Sequence, residues 1–146
     1  MNQKSYNGFT LLEVMLTMAL LALVALSATP FNGNFIFSQE VSVVSDELRG
    51  SLAKAQFSSM TGKNDASFGV AIHDGHIVLF QGSSFLSRDQ SLDEAFTIHP
   101  RVSISGMSEI VFAPVTGRPD HQPTITVSGN GKTEAWVMNS EGVLEE

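Results

Sequence analysis

GFTLLEVMLTMALLALVALSAT, residues Gly8 to Thr29, carries a single ionisable side chain, Glu13. A helix from Phe9 to Thr29, rising about 1.5 Å per residue, is roughly 31 Å long, close to a bilayer hydrocarbon core of about 30 Å. The run therefore reads as a membrane segment. A secretory signal peptide has a shorter apolar region, of about 7–15 residues, with a small-residue cleavage site after it. Here the order is reversed, because the polar leader MNQKSYNG comes first and ends in Gly8 just before the apolar run.

Glu13 is the feature of this helix that needs a reason. A carboxylate among apolar residues costs roughly 2.5–3.5 kcal/mol near the bilayer centre and less near an end, so such a group usually has a partner or a function. A plainer account is that Glu13 lies near the helix N-terminus, where the dipole favours it and headgroups keep it solvated.

The run Gly8-Phe9-Thr10-Leu11-Leu12-Glu13-Val14 resembles the processing site of type IV prepilins and of the pseudopilins of type II secretion systems. The resemblance implies cleavage after Gly8 by a prepilin peptidase that also methylates the new amino terminus, Phe9. It implies that Glu13 pairs with the Phe9 amine of a neighbouring subunit during assembly. Lys4 fits the positively charged leader, held on the cytoplasmic side. Further partners implied are other pilins or pseudopilins, an inner-membrane assembly platform and the lipid itself.

Composition bounds the remainder. Pro30 to Glu146 is enough chain for one domain with a core. The absence of cysteine excludes a disulfide framework, a thiol nucleophile and thiolate metal sites. Fifteen acidic residues face eight basic ones, and loss of the leader would remove Lys4 from the eight. Such a surface repels phosphate backbones, which argues against nucleic acid as a partner.

Beyond the apolar run, Pro30 and then Asn32-Gly33-Asn34 predict a kink or a short melted segment. Helical periodicity returns from about Ser38 to Thr61, with Val41, Val44, Leu48, Leu52, Ala55 and Met60 on one face, predicted to pack on a sheet. Gly62 marks the stop, and Gly50 weakens the helix near its middle. Strand-like segments follow. Phe68 to His73, Asp74-Gly75 and His76 to Gln81 read as a hairpin with a type I′ turn. Further strands are expected at Thr97–Ser105, Glu109–Ala113, Thr124–Ser128 and Lys132–Asn139, with turns at Gly129-Asn130-Gly131 and Ser140-Glu141-Gly142. Gly82 to Ala95 lacks clear pattern and reads as a polar loop bearing Arg88, Asp89, Asp93 and Glu94, either a contact surface or a solvated excursion.

Ile110-Val111-Phe112, Thr116-Gly117-Arg118-Pro119, Ile125-Thr126-Val127 and Val137-Met138-Asn139 with Glu141-Gly142-Val143 resemble the strand pattern of the GspH/FimT-like minor pseudopilins. The expected fold is α+β: a long N-terminal helix, half in the membrane and half amphipathic, packed on an antiparallel sheet or small sandwich. The division is a cleaved leader at 1–8, a membrane helix at 9–29, a kink and amphipathic helix at 30–62 and a β domain at 63–146.

Enzymatic chemistry finds little support. His73 and His76 flank Asp74-Gly75, but no third and fourth metal ligand is evident. His99 and His121 approach prolines in loops. No nucleophile elbow, phosphate loop or dinucleotide fingerprint occurs. Asp120, Glu134, Glu141, Glu145 and Glu146 are too scattered for a compact calcium loop, leaving only a site assembled from separate loops. No cofactor is expected, and Trp136 reads as a core or cross-strand aromatic. The expected function is that of a structural subunit, a minor pseudopilin of a secretion-type or related filament. The alternative is a minor type IV pilin that captures DNA or a surface, against which the acidic tail from Glu141 to Glu146 argues.

Overall fold

The computed structural model describes residues 8–27, 33–62 and 65–145, with the side chains of 26, 27 and 33–38 excepted. The chain divides into two compact units, Met1–Phe35 and Ile36–Glu146.

In the first unit, helix α1 spans Leu11–Ser27, 17 residues. Its side chains from Leu11 to Ala25 are all exposed, and at about 1.5 Å per residue it is about 25 Å long. Among the described residues no helix is long and apolar enough to cross a membrane. The expected span from Phe9 to Thr29 runs on into residues outside the described ones, as does the expected kink at Pro30.

The second unit is built on helix α2, Gly33–Met60. Periodicity placed its start near Ser38; the helix begins five residues earlier, and it continues without interruption through Gly50. Val41, Val44, Leu48, Leu52 and Ala55 lie on its buried face, as their spacing predicted. Met60 does not: it is 52% exposed and belongs to the solvent side. Gly62, with φ of 63°, ends the helix in the left-handed region that a residue with a Cβ rarely adopts.

Eight strands follow: β1 Phe68–His73, β2 His76–Gln81, β3 Glu94–Thr97, β4 Ser103–Ser105, β5 Glu109–Phe112, β6 Thr124–Gly129, β7 Lys132–Met138 and β8 Leu144–Glu145. They form two four-stranded antiparallel sheets, ordered β3-β2-β1-β5 and β4-β6-β7-β8. The fold is thus α+β, with α2 packed on both sheets. One core holds the buried face of α2 together with Phe68, Val70, Ile77, Leu79, Ile110 and Phe112 of the first sheet and Ile125, Val127, Trp136 and Met138 of the second. Each such side chain contributes about 1.5–3 kcal/mol through burial.

The β1–β2 hairpin forms in the expected register, with His73 opposite His76. Asp74 and Gly75 have φ of 47° and 73°, the paired positive values of a type I′ turn. Asn130 and Gly131 turn β6 into β7 the same way, at 48° and 80°, while Gly129 lies in the strand opposite Lys132 and not in the turn.

The single strand expected over Thr97–Ser105 is divided between the sheets. β3 ends at Thr97, and the Val102 N–H donates to the His99 carbonyl at 2.9 Å, closing a turn with Pro100 at its second position, where the fixed φ suits it. The chain then enters the other sheet at Ser103. The 82–95 segment is not an open loop either. It holds two 3₁₀ turns, Phe85–Ser87 and Gln90–Leu92, before β3 begins at Glu94.

That segment covers the outer face of the first sheet. Ala71, Phe80 and Val111 are buried there with Phe85 against them. The Phe85 ring meets Phe80 edge-on at 5.7 Å, and the Arg88 guanidinium sits 3.6 Å over Phe85. Arg88 Nε donates to Asp93 Oδ2 at 2.7 Å and Phe85 N–H to Glu109 Oε2 at 2.9 Å. Arg88 and Asp93 therefore hold the segment folded on the sheet instead of forming a polar tip.

Polar contacts fix both ends of α2. Near its start, Glu40 Oε2 lies 3.3 Å from both His99 Nδ1 and Asn130 Nδ2, and Lys132 Nζ donates to Ser42 Oγ at 2.6 Å. Near its end, fully buried Ser59 accepts the Phe68 N–H at 3.0 Å and donates to the Phe112 carbonyl at 3.1 Å.

Gly50 is unusual in this frame. A Cβ there would meet nothing within 4 Å, and glycine inside a helix costs about 1 kcal/mol relative to alanine. Gly50→Ala should raise unfolding stability by about that amount. Chemical denaturation of the two proteins checks this, and an equal or lower stability contradicts it.

Candidate processing and assembly site

The segment that leads into α1 is built by its own backbone. Gly8, Phe9 and Thr10 are exposed and lie outside the helix; Phe9 is 82% exposed. Thr10 caps the helix. Its Oγ1 accepts the Glu13 N–H at 3.3 Å, and its carbonyl accepts the N–H groups of Glu13 and Val14 at 3.1 and 3.2 Å. These donors have no partner within the helix, and threonine is among the side chains that satisfy them best. Thr10-Leu11-Leu12-Glu13 is the sequence pattern of a capping box, so the role of Thr10 was readable from the chain.

Glu13 falls in the first turn of α1 and is exposed. Its charge is favoured there by the unsatisfied N–H groups of the helix start. The backbone thus places the Gly8–Phe9 bond in the open, one residue ahead of the cap, with the carboxylate one turn beyond it. At Gly8 a Cβ would meet nothing within 4 Å, so the fold itself has no need of glycine at this position. Lys4 and Pro30 lie outside the described residues.

The other candidates are held apart. His73 Nε2 is 3.3 Å from Asp74 Oδ2, with its ring 5.0 Å from Phe85, and His76 Nδ1 lies 2.8 Å from the Asp74 carbonyl. Asp120 is bound by the Val111 N–H at 3.1 Å and by His121 at 2.8 Å. Glu134 pairs with Lys132 at 2.8 Å, Glu141 with Arg118 at 3.2 Å, and Glu145 with Asn139 at 2.6 Å. Glu146 lies outside the described residues. Among the described residues no three histidine or acidic side chains gather to hold a metal ion. Trp136 is buried in the core, with the Arg49 guanidinium 4.2 Å over its ring.

Lys132 beside Glu134 holds the Glu134 carboxyl below its ordinary value of 4.5, against an opposing push from partial burial. A carboxyl more acidic in the folded than in the unfolded chain contributes stability in full above 4.5, and that contribution is lost as pH falls through the lowered folded value. The wild type should therefore lose its stability advantage over Glu134→Gln as pH falls below 4.5. Thermal melts of both proteins in an acid series test this; a difference that does not vary with pH contradicts it.

Residues 3–29 match the family model described as the prokaryotic N-terminal methylation motif. No curated protein and no solved structure matches the chain. The chain therefore carries, at the segment where Gly8, Phe9, Thr10 and Glu13 stand ahead of and within the first turn of α1, a prokaryotic N-terminal methylation motif.

Proposed function

We propose that the chain is a structural subunit, a minor pseudopilin, of a type II secretion-type pseudopilus or a related type IV pilus-like filament. The observation that carries this reading is the methylation motif at residues 3–29 placed over an exposed Gly8–Phe9 bond and a capped, apolar helix. A prepilin peptidase cleaves after Gly8 and methylates the Phe9 amine. The helix from Phe9 to Thr29 anchors the subunit in the cytoplasmic membrane, with the rest of the chain on the far side. An exposed glycine that the fold does not use is the residue expected where an enzyme, and not packing, makes the demand.

The working mechanism is mechanical. Membrane insertion stores the subunit, and cleavage frees the amine of Phe9. Glu13 of one copy then receives the amine of a neighbour, which offsets two charges that are costly in an apolar setting. Pro30, between α1 and α2, allows the helical region to adjust as subunits pack. The minor-pseudopilin assignment draws on Phe112, fully buried in β5, and on the turn that follows it. There Gly117 has φ of 64° and Pro119 bridges back to Phe112.

Gly8→Ser should block processing, so that the protein isolated from membranes retains its leader; intact mass and amino-terminal sequencing read this directly. Normal mature protein in that variant removes the main support for the reading. Glu13→Leu should insert in membranes at least as well as wild type, since it removes a cost of up to roughly 2.5–3.5 kcal/mol. It should be depleted from sheared filaments at equal cellular level, and unchanged incorporation defeats the docking role of Glu13.

A further inference from the structure

Helix α2 has a second apolar line on the side turned away from the sheets. Val43, Phe57 and Met60 are 66%, 67% and 52% exposed, and Gly50 and Ala53 are exposed between them. Val43, Gly50 and Phe57 are spaced by seven, as are Ala53 and Met60, the first and fourth positions of a heptad. These residues share one face, and the core uses none of them. Gly50 stands at the middle of the line. It has no positive φ and no neighbour that a Cβ would strike, so its cost to the helix serves nothing within this subunit. Small residues at the centre of a helix face let the backbone of a second helix approach closely.

We propose that this line is a docking seam for α1 of a second copy of the chain, with Gly50 and Ala53 at the point of closest approach. The chain itself supplies an occupant of the right chemistry. α1 is apolar on every side, carries only Glu13 as a charge and has all its side chains from Leu11 to Ala25 exposed. The lengths agree as well: Val43 to Met60 covers about 26 Å and the 17 residues of α1 about 25 Å. Two copies of the α2 line facing each other antiparallel about Gly50 and Ala53 would instead set Asp46 and Glu47 against Phe57. That costs desolvation which pairing with α1 avoids. The inference rests on reading the chain as an assembly subunit and adds the surface that receives the neighbour.

The chain has no cysteine, so introduced thiols report contacts without background. Two tagged full-length copies are expressed together in membranes with the processing peptidase. One carries Phe57→Cys and the other a cysteine at Met15, Leu16 or Met18 in turn, and both are oxidised mildly. Ser103→Cys on β4 replaces Phe57→Cys as the control. The expected result is an inter-copy disulfide to Phe57→Cys at some α1 positions and not others, absent with Ser103→Cys. It should fall at least about tenfold when Gly50→Leu is added to the Phe57→Cys copy. Gly50→Leu should leave the melting temperature unchanged or raised, so its effect is on contact and not on folding. Disulfides only between two Phe57→Cys copies mean that the line pairs with itself and overturn the proposal. α1-to-α1 disulfides with none to Phe57→Cys overturn it while leaving the assembly reading intact. No inter-copy disulfide from any α1 position removes both.

Discussion

The second unit depends on the burial of one face of α2. Val41, Val44, Leu48, Leu52 and Ala55 form a stripe that neither sheet alone covers, and both sheets gather on it. Without that stripe the two sheets would share no core. Each has only four strands, two of them edges, and sheets of that size need an apolar face packed on something to persist. The polar ties at the two ends of α2 take their place from this packing. Glu40 reaches His99 and Asn130 only because the helix lies where both sheets end. Ser59, fully buried, serves two backbone partners that the sheet would otherwise leave open.

The outer face of the first sheet follows a different rule. β1 is buried on both sides, and Gly69 makes this possible, since a Cβ there would come within 2.5 Å of the Phe80 ring and 2.7 Å of the Ile110 carbonyl. Phe80 fills the space that the glycine leaves, and the segment from Gly82 to Asp93 closes over it. The chain thereby gains a second small core, built from Phe80 and Phe85, beside the one organised by α2.

Much of this was legible in the sequence, where the deciding forces are local. The α2 stripe follows from a 3.6-residue period, and the β1–β2 hairpin from Asp74-Gly75 between two alternating strands. Segments whose structure depends on remote partners were not legible. Nothing near Thr97 or Ser103 states that the two will pair with different sheets. The order in residues 82–93 comes from Phe80, His73 and Glu109, which lie in other strands, and β8 exists only because β7 offers it an edge. Met60 fits the period of the buried face, yet the sheets end before they reach it. For the candidate site the position was clearer, because Gly8, Phe9 and Glu13 sit within six residues of one another. Thr10 went unread as a cap although the capping-box spacing was present. The exposed line of α2 was hidden because its residues look like any others of an amphipathic helix until their exposure is known.

The lengthwise seating of α2 also determines how the second unit bears load. Tension applied along the helix axis would act on the stripe from Val41 to Ala55 and on the ties at Glu40, Ser42 and Ser59 together. Contacts arranged in this way are loaded in shear and must slip as a group, whereas contacts pulled from one end peel apart in turn. A domain drawn along by its first helix would thus resist with its whole core at once.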